Sequence, residues 1–278
     1  MSKYEDYNSA SRNYDNQRFA MGSDVMAAMI QFHCGKPLKD LHVLDAGCGT
    51  GNYAKALIDY GVGQVTLLDA SPGMLEKAKV KLADAIESGK IKEVVEATMP
   101  PIPFPDASFD AVMFNLVLHH LDGEGDTGFR MVIETLKETR RVVRPDGFLV
   151  ISTCLPSTCL HSVWFTQFNL KLTERYVKVL PSLEQFSEMF NTTKFECMQK
   201  LNTIGSFFLD EYYNVEGPLD KSWRQGSSYW KFATEEEINV IEKKLKELKQ
   251  SGELENWVRA HDRANTAGVL TWIFCKPQ

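Results

Sequence analysis

Val43-Leu44-Asp45-Ala46-Gly47-Cys48-Gly49-Thr50-Gly51, followed some twenty residues later by Val65-Thr66-Leu67-Leu68-Asp69, decides the fold of this chain. An apolar run enters three glycines at alternate positions, and a second apolar run ends in a carboxylate. Glycine is required where the backbone takes a positive φ or where a ligand lies against bare main chain. A carboxylate closing the next strand is placed to accept both hydroxyls of a ribose. Together they describe an α/β pocket for an adenosine-containing cofactor.

The spacing selects among such cofactors. Dinucleotide sites use G-x-G-x-x-G, with pyrophosphate at the helix N-terminus. Here the glycines run G-x-G-x-G, and Asn52 stands where that pattern wants glycine. Asp45 puts negative charge close to where a pyrophosphate would lie, which suits a ligand carrying an ammonium group instead. S-adenosylmethionine has adenosine, an ammonium and a sulfonium, and no phosphate.

Composition narrows the class. The chain has 278 residues, 44% hydrophobic and 24% charged, which is globular usage, with a net charge of −6. Nucleic-acid binders carry a basic face, whereas Lys243, Lys244 and Lys246 are interleaved with Glu242 and Glu247 as on a solvated helix. Nucleic acid is therefore not the expected partner. No stretch of eighteen apolar residues occurs, so no membrane span is expected, and the polar N-terminal stretch lacks an apolar signal core. Six scattered cysteines show no C-x-x-C or zinc spacing, so no metal is expected, and free thiols point to a reducing, cytoplasmic setting.

Strand signals fall at Leu41–Asp45, Gln64–Asp69, Lys92–Glu96, Phe109–Asn115 and Gly147–Thr153, with helical spacing in Asn52–Tyr60, Pro72–Glu87 and Phe129–Val142. Ser71 before Pro72 reads as an N-cap. After Leu155 the alternation breaks. Leu160–Leu180 reads as helical and Lys194–Ile204 as a strand. Thr234-Glu235-Glu236-Glu237 reads as a capping box, and Gly268–Cys275 as a closing strand. The expected organisation is a single unit over 1–278. It has an N-terminal cofactor-covering segment (1–40), a core (41–153), a mainly helical cap with one late strand (154–267) and a last strand (268–278).

Val43–Asn52, Leu67–Met74, Ile102–Leu121 and Glu138–Ser152 resemble, in order and spacing, the class I S-adenosylmethionine-dependent methyltransferases that act on small molecules. The resemblance covers roughly residues 40–153. It implies a Rossmann-like, doubly wound, mostly parallel seven-stranded sheet with helices on both faces and the last strand antiparallel. It also implies that Gly47, Gly49 and Gly51 underlie the methionine and ribose, that Asp45 lies near the cofactor amine, and that Asp69 holds the ribose, with Ala70 and Met74 near the adenine. Glu96, Ala97 and Thr98 stand where the family often places an aspartate for the adenine amine, and Asn115 would face the methionine. Tyr14 or Arg18, in a segment resembling the leading helix of relatives, would meet the cofactor carboxylate.

Methyl transfer from a sulfonium is an in-line displacement with a neutral leaving group, so alignment and exclusion of water are the protein's main task. A base is needed only when the acceptor must lose a proton. His119 and His120, just after the fourth strand, are the candidates; the alternative is that they merely begin a turn. Tyr212, Tyr213 and Trp223 sit among Asp210, Glu211, Glu216 and Asp220, an arrangement that would hold an amine or aromatic acceptor through cation–π and charge pairing; ordinary core packing is the alternative. The reading is transfer of a methyl group to nitrogen or oxygen of a small molecule. Its rivals are a non-catalytic cofactor-binding relative, a nicotinamide-dependent oxidoreductase, and an arsenic methyltransferase using Cys154 and Cys159, with a labile disulfide between these two as the alternative.

Overall fold

The apolar runs pair into one seven-stranded sheet in the order β3-β2-β1-β4-β5-β7-β6. The strands are β1 (His42–Ala46), β2 (Gln64–Asp69), β3 (Ile91–Glu96), β4 (Phe109–Asn115), β5 (Val143–Thr153), β6 (Phe195–Thr203) and β7 (Leu270–Pro277). The structure, a computed structural model, describes Asp15 and residues 18–122, 128–205 and 210–278. Strands β1 to β5 pair in parallel, and β7 runs antiparallel to both β5 and β6. This is the Rossmann-like sheet and the antiparallel last strand expected from the sequence.

The central strands read as continuous apolar runs because both faces are covered. Along β1, Val43 packs into one apolar layer and Leu44 into the other. Strand order reverses at β1, whose neighbours are β2 and β4, and such a switch point opens a crevice at the carboxyl ends of the strands. Both Asp45 and Asn115 lie at those ends.

Several elements differ from the sequence reading. The helix after Ser71 ends at Lys81 and a short helix resumes at Ala83–Glu87, because Leu82 leaves helical geometry to bury itself against Gly51. The segment 160–180 is not one helix. It divides into Pro156–His161, a 3-10 turn Trp164–Phe168, Leu170–Tyr176 and a turn Val177–Val179, with Asn169 breaking the run and capping the third piece by accepting from Leu172 N–H. The helices without a sequence assignment include Ser23–Cys34, Leu183–Thr193 with its Ser182/Gln185 capping box, and Leu254–His261. The capping box at Thr234 does open the helix Glu235–Gln250.

Residues after Thr153 gather an aromatic core. Trp164 and Phe165 meet edge to face with centroids 5.7 Å apart, and Trp223 lies 5.5 Å from Phe165. Such pairs add about 0.5–1.5 kcal/mol beyond their buried area. Among the described residues no helix is long and apolar enough to cross a membrane.

Candidate functional site: a cleft from the glycine loop to the cap

The loop after β1 is shaped by backbone that only glycine adopts easily. Gly47, Gly49 and Gly51 have φ of 77°, 53° and 79°. Gly47 donates its N–H to Leu68 O at 2.7 Å, and a Cβ there would strike Val117. At Gly49 the space above the backbone is open, and both glycines line the cleft. Gly51 does something else: it starts the helix Asn52–Asp59, and a Cβ on it would come within 2.8 Å of Leu82. It supports the loop from behind and does not line the cleft, a correction to its expected place under the cofactor.

Two carboxylates sit at the strand ends in unlike states. Asp69 accepts from Gly49 N–H and Ser71 N–H, each at 2.8 Å, and lines the cleft. Burial nonetheless raises its pKa against those stabilising donors. Asp45 is buried, and neither of its oxygens has a hydrogen-bond partner. The Asn115 amide and the Ala54 N–H lie near enough to favour its charged form without completing a bond. Burial first, and the charge of Asp69 second, push its pKa up to about 7. The Asn115 Nδ2 is likewise without a partner, while its Oδ1 accepts from Ser152 Oγ at 3.0 Å. Asp45 borders a side lobe of the cleft together with Arg18, Thr50 and Asn52. Orphaned buried polar groups are costly unless a ligand completes them. A carboxylate and an amide facing one lobe suit an ammonium and its neighbouring polar group.

The segment before β1 is held over this lobe. Lys81 donates to Asp15 Oδ1 at 2.6 Å and to Thr50 Oγ1 at 3.1 Å, and also bonds Asn52 Oδ1. Asn52, the residue that breaks the dinucleotide spacing, thus serves a polar clasp. Arg18 lines the cleft and its guanidinium donates to Gly226 O at 2.6 Å, joining the N-terminal segment to the cap. Tyr14 lies outside the described residues.

Ala70, Met74 and Ala97 line the cleft, and so do Ser71, Met99, Leu116 and Val117, which sequence reasoning missed. Ser71 was legible only as a cap, which it is, accepting from Met74 N–H at 3.3 Å. Leu116 turns with φ of 57°, a conformation no sequence signal announces for leucine. Glu96 and Thr98 are exposed and do not line the cleft, a correction to both. Glu96 ends the edge strand β3 with its side chain on the solvent side.

His119 and His120 both line the cleft, with ring centroids 3.8 Å apart. The His119 Nδ1 is buried without a partner. Burial, and next the charge of Arg18, bring its pKa down to about 3, so the ring is neutral. On the cap side Tyr212 lines the cleft, its hydroxyl donating to Asp262 at 2.6 Å. Phe165, Thr166, Tyr176 and Tyr229 line it too.

Tyr213 and Trp223 do not line the cleft, a correction to their expected role. Tyr213 is exposed and reaches Asn265; Trp223 is buried and donates to Glu211 O at 2.7 Å. The acids once grouped with them face elsewhere: Glu216 pairs with Lys249 at 2.7 Å, and Asp220 caps the helix Lys221–Arg224. The amine cage therefore does not assemble, and packing explains Trp223. Cys154 and Cys159 line the cleft, but burial raises the first to about 12 and the second well above the ordinary thiol range. Neutral thiols are poor soft-metal ligands. Among the described residues no group of three His, Cys, Asp or Glu is arranged to hold a metal.

Residues 44–151 match the family model described as a methyltransferase domain. Residues 44–151 are a methyltransferase domain of the S-adenosylmethionine-dependent kind. Its cofactor is S-adenosylmethionine. This methyltransferase is 29% identical over 201 residues to an uncharacterised methyltransferase, YodH, of Bacillus subtilis, covering 64% of this chain and 79% of that one. It is 28% identical over 221 residues to a ubiquinone/menaquinone biosynthesis C-methyltransferase of Psychromonas ingrahamii, covering 72% and 84%. A crystal structure of a putative antibiotic-pathway methyltransferase from Anabaena variabilis shares the fold of the methyltransferase, with a TM-score of 0.69 at 21% identity over 90% and 96% of the two chains.

Proposed function

We propose that this methyltransferase moves a methyl group to an oxygen or nitrogen of a largely apolar small molecule held in the cap half of the cleft. One observation carries the reading. A single cleft of about 1370 Å³, counting its solvent-open part, runs from Gly49 and Asp69 to Phe165, Tyr176 and Tyr229. The cofactor-side and cap-side walls face one continuous space, in which a methyl donor and an acceptor can meet.

Asp69 and the Gly49 backbone would hold the ribose; Asp45 and Asn115 would hold the amino-acid end; Ala70, Met74 and Ala97 would pack near the adenine. The bound cofactor supplies an electrophilic methyl whose leaving group departs neutral. The protein's own part is alignment. With a pKa of about 3, His119 is a weak base, so it acts as a hydrogen-bond acceptor that orients the O–H or N–H of the nucleophile. Apolar walls of Val163, Phe165 and Met99 keep water out of the approach.

A radiolabelled methyl-transfer screen against a metabolite extract, with products identified by mass, tests the reading. Label on an oxygen or nitrogen of an apolar small molecule is expected. Label only on carbon, or only on macromolecules, would sink it.

A further inference from the structure

Two cysteines that play no part in the cleft stand face to face at the far edge of the sheet. Cys197 in β6 is the direct cross-strand partner of Cys275 in β7. Opposed residues of an antiparallel pair lie about 4.5–5.5 Å apart at Cα, inside the ~4.4–6.8 Å range that a disulfide spans. Their side chains share one side of the sheet. Cys275 is buried in the apolar layer with Phe195 and Ile273, and Cys197 packs against that same layer. The Cys197 thiol donates to Gln199 O at 3.8 Å, and both cysteines are free. Strand β6 is the sheet edge, and Cys197 is half-buried there, so a small oxidant can reach it while Cys275 waits behind.

We propose that Cys197 and Cys275 form a reversible cross-strand disulfide by exchange with a low-molecular-weight disulfide of the glutathione type. Cys197 is the attacking sulfur. The neighbouring thiol of Cys275 and, after it, Lys200 lower its pKa to about 7 against the opposing effect of burial. Burial keeps the other partner, Cys275, protonated. In the first exchange the Cys197 thiolate bonds to one sulfur of the oxidant, whose own S–S bond breaks. One glutathione leaves as a thiolate and takes up the proton that Cys197 gave to solvent. In the second, Cys275 loses its proton and attacks the Cys197 sulfur. The mixed disulfide breaks, and the second glutathione leaves and is protonated. The protein dithiol loses two electrons, and the oxidant gains them as two thiols.

The remaining four cysteines do not compete. Burial raises Cys34, Cys48, Cys154 and Cys159, which removes the reactive thiolate. Neither Cys197 nor Cys275 lines the cleft, so the bond is a staple on the edge strand rather than a gate on the active site. It ties β6 to β7 across a long loop of chain, where cross-links restrict the unfolded state most.

The test treats the full chain with glutathione disulfide at pH 8, blocks remaining thiols, and maps peptides by mass without reduction. A peptide pair joined through Cys197 and Cys275 is expected, together with a melting temperature roughly 5–15 °C above that of the reduced protein. Cys275→Ala should instead accumulate glutathione on Cys197, and Cys197→Ser should show neither product nor the thermal shift. If wild-type protein retains glutathione on Cys197 without forming the joined pair, the proposal is overturned. A pair formed through other cysteines, or no reaction at Cys197, overturns it as well.

Discussion

The two halves of the cleft are built by different means. On the cofactor side, position is set by main chain: three left-handed glycines, the Asp69 carboxylate clamped by two backbone N–H groups, and strand ends meeting at a switch point. On the cap side, position is set by side chains packed from short, irregular pieces, with Trp164 donating to Tyr212 O at 3.0 Å and rings meeting edge to face. Main-chain geometry follows from residue type and spacing. Packing among aromatic groups depends on which of several faces each segment presents, and that is a tertiary outcome. Residues 44–151, which match the methyltransferase family model, hold the glycine loop and the strand ends of the cofactor side, while the cap lies outside that match.

Four substitutions test this contrast. The largest effect falls on the cap's core: Trp223→Ala should destabilise the fold by about 3–5 kcal/mol, read by denaturant unfolding. S-adenosylhomocysteine affinity should stay within a few fold in the protein that remains folded. A loss of binding without loss of stability would return Trp223 to the site. Asp69→Ala comes next. It releases Gly49 and Ser71 N–H groups as well as the ribose, and should weaken S-adenosylhomocysteine by about 2–4 kcal/mol in calorimetry. Unchanged affinity would refute the role given to the backbone-clamped carboxylate.

His119→Gln keeps an acceptor oxygen but moves it, and should lower kcat by about 10- to 100-fold with cofactor affinity intact. Because the folded ring stays neutral down to about pH 3, no rate limb from His119 is expected between pH 5 and 9. The sign for stability follows directly. The folded pKa lies below the ordinary value of 6.5, so the native state is favoured above 6.5 and loses that advantage as pH falls toward 3. An acidic limb near pH 6.5 that disappears in the variant would show that the ring titrates during turnover. The smallest effect belongs to Tyr213→Ala, an exposed ring outside the cleft. Activity should stay within about twofold and stability within about 0.5 kcal/mol.

The strands of the core and the convergence of Asp45, Gly47, Gly49, Asp69 and Asn115 were legible in the sequence because apolar runs and glycine turns mark them; the antiparallel last strand followed from the family resemblance, and the order of the strands came only with the structure. Gly51 misled because a glycine needed for helix packing against Leu82 looks, in one dimension, like a glycine needed for a ligand. Glu96 misled because it ends an edge strand and turns to solvent, a choice made by the layer beneath it. Trp223 and Tyr213 misled because an irregular aromatic stretch has no period from which to read an inward face. Leu116 and Val117 were invisible for the same reason: the left-handed turn at Leu116 leaves no residue signature.

Asp45 has a consequence for how cofactor binding is measured. With a pKa pushed up to about 7, Asp45 changes charge across neutral pH. Its raised value means the apo fold is favoured at low pH and gives up that advantage as pH rises from about 4 through 7. An arriving ammonium selects the ionised carboxylate, so binding near neutral pH expels protons into the medium. The heat of binding will therefore follow the ionisation enthalpy of the buffer, and its slope across buffers counts protons at a single buried side chain.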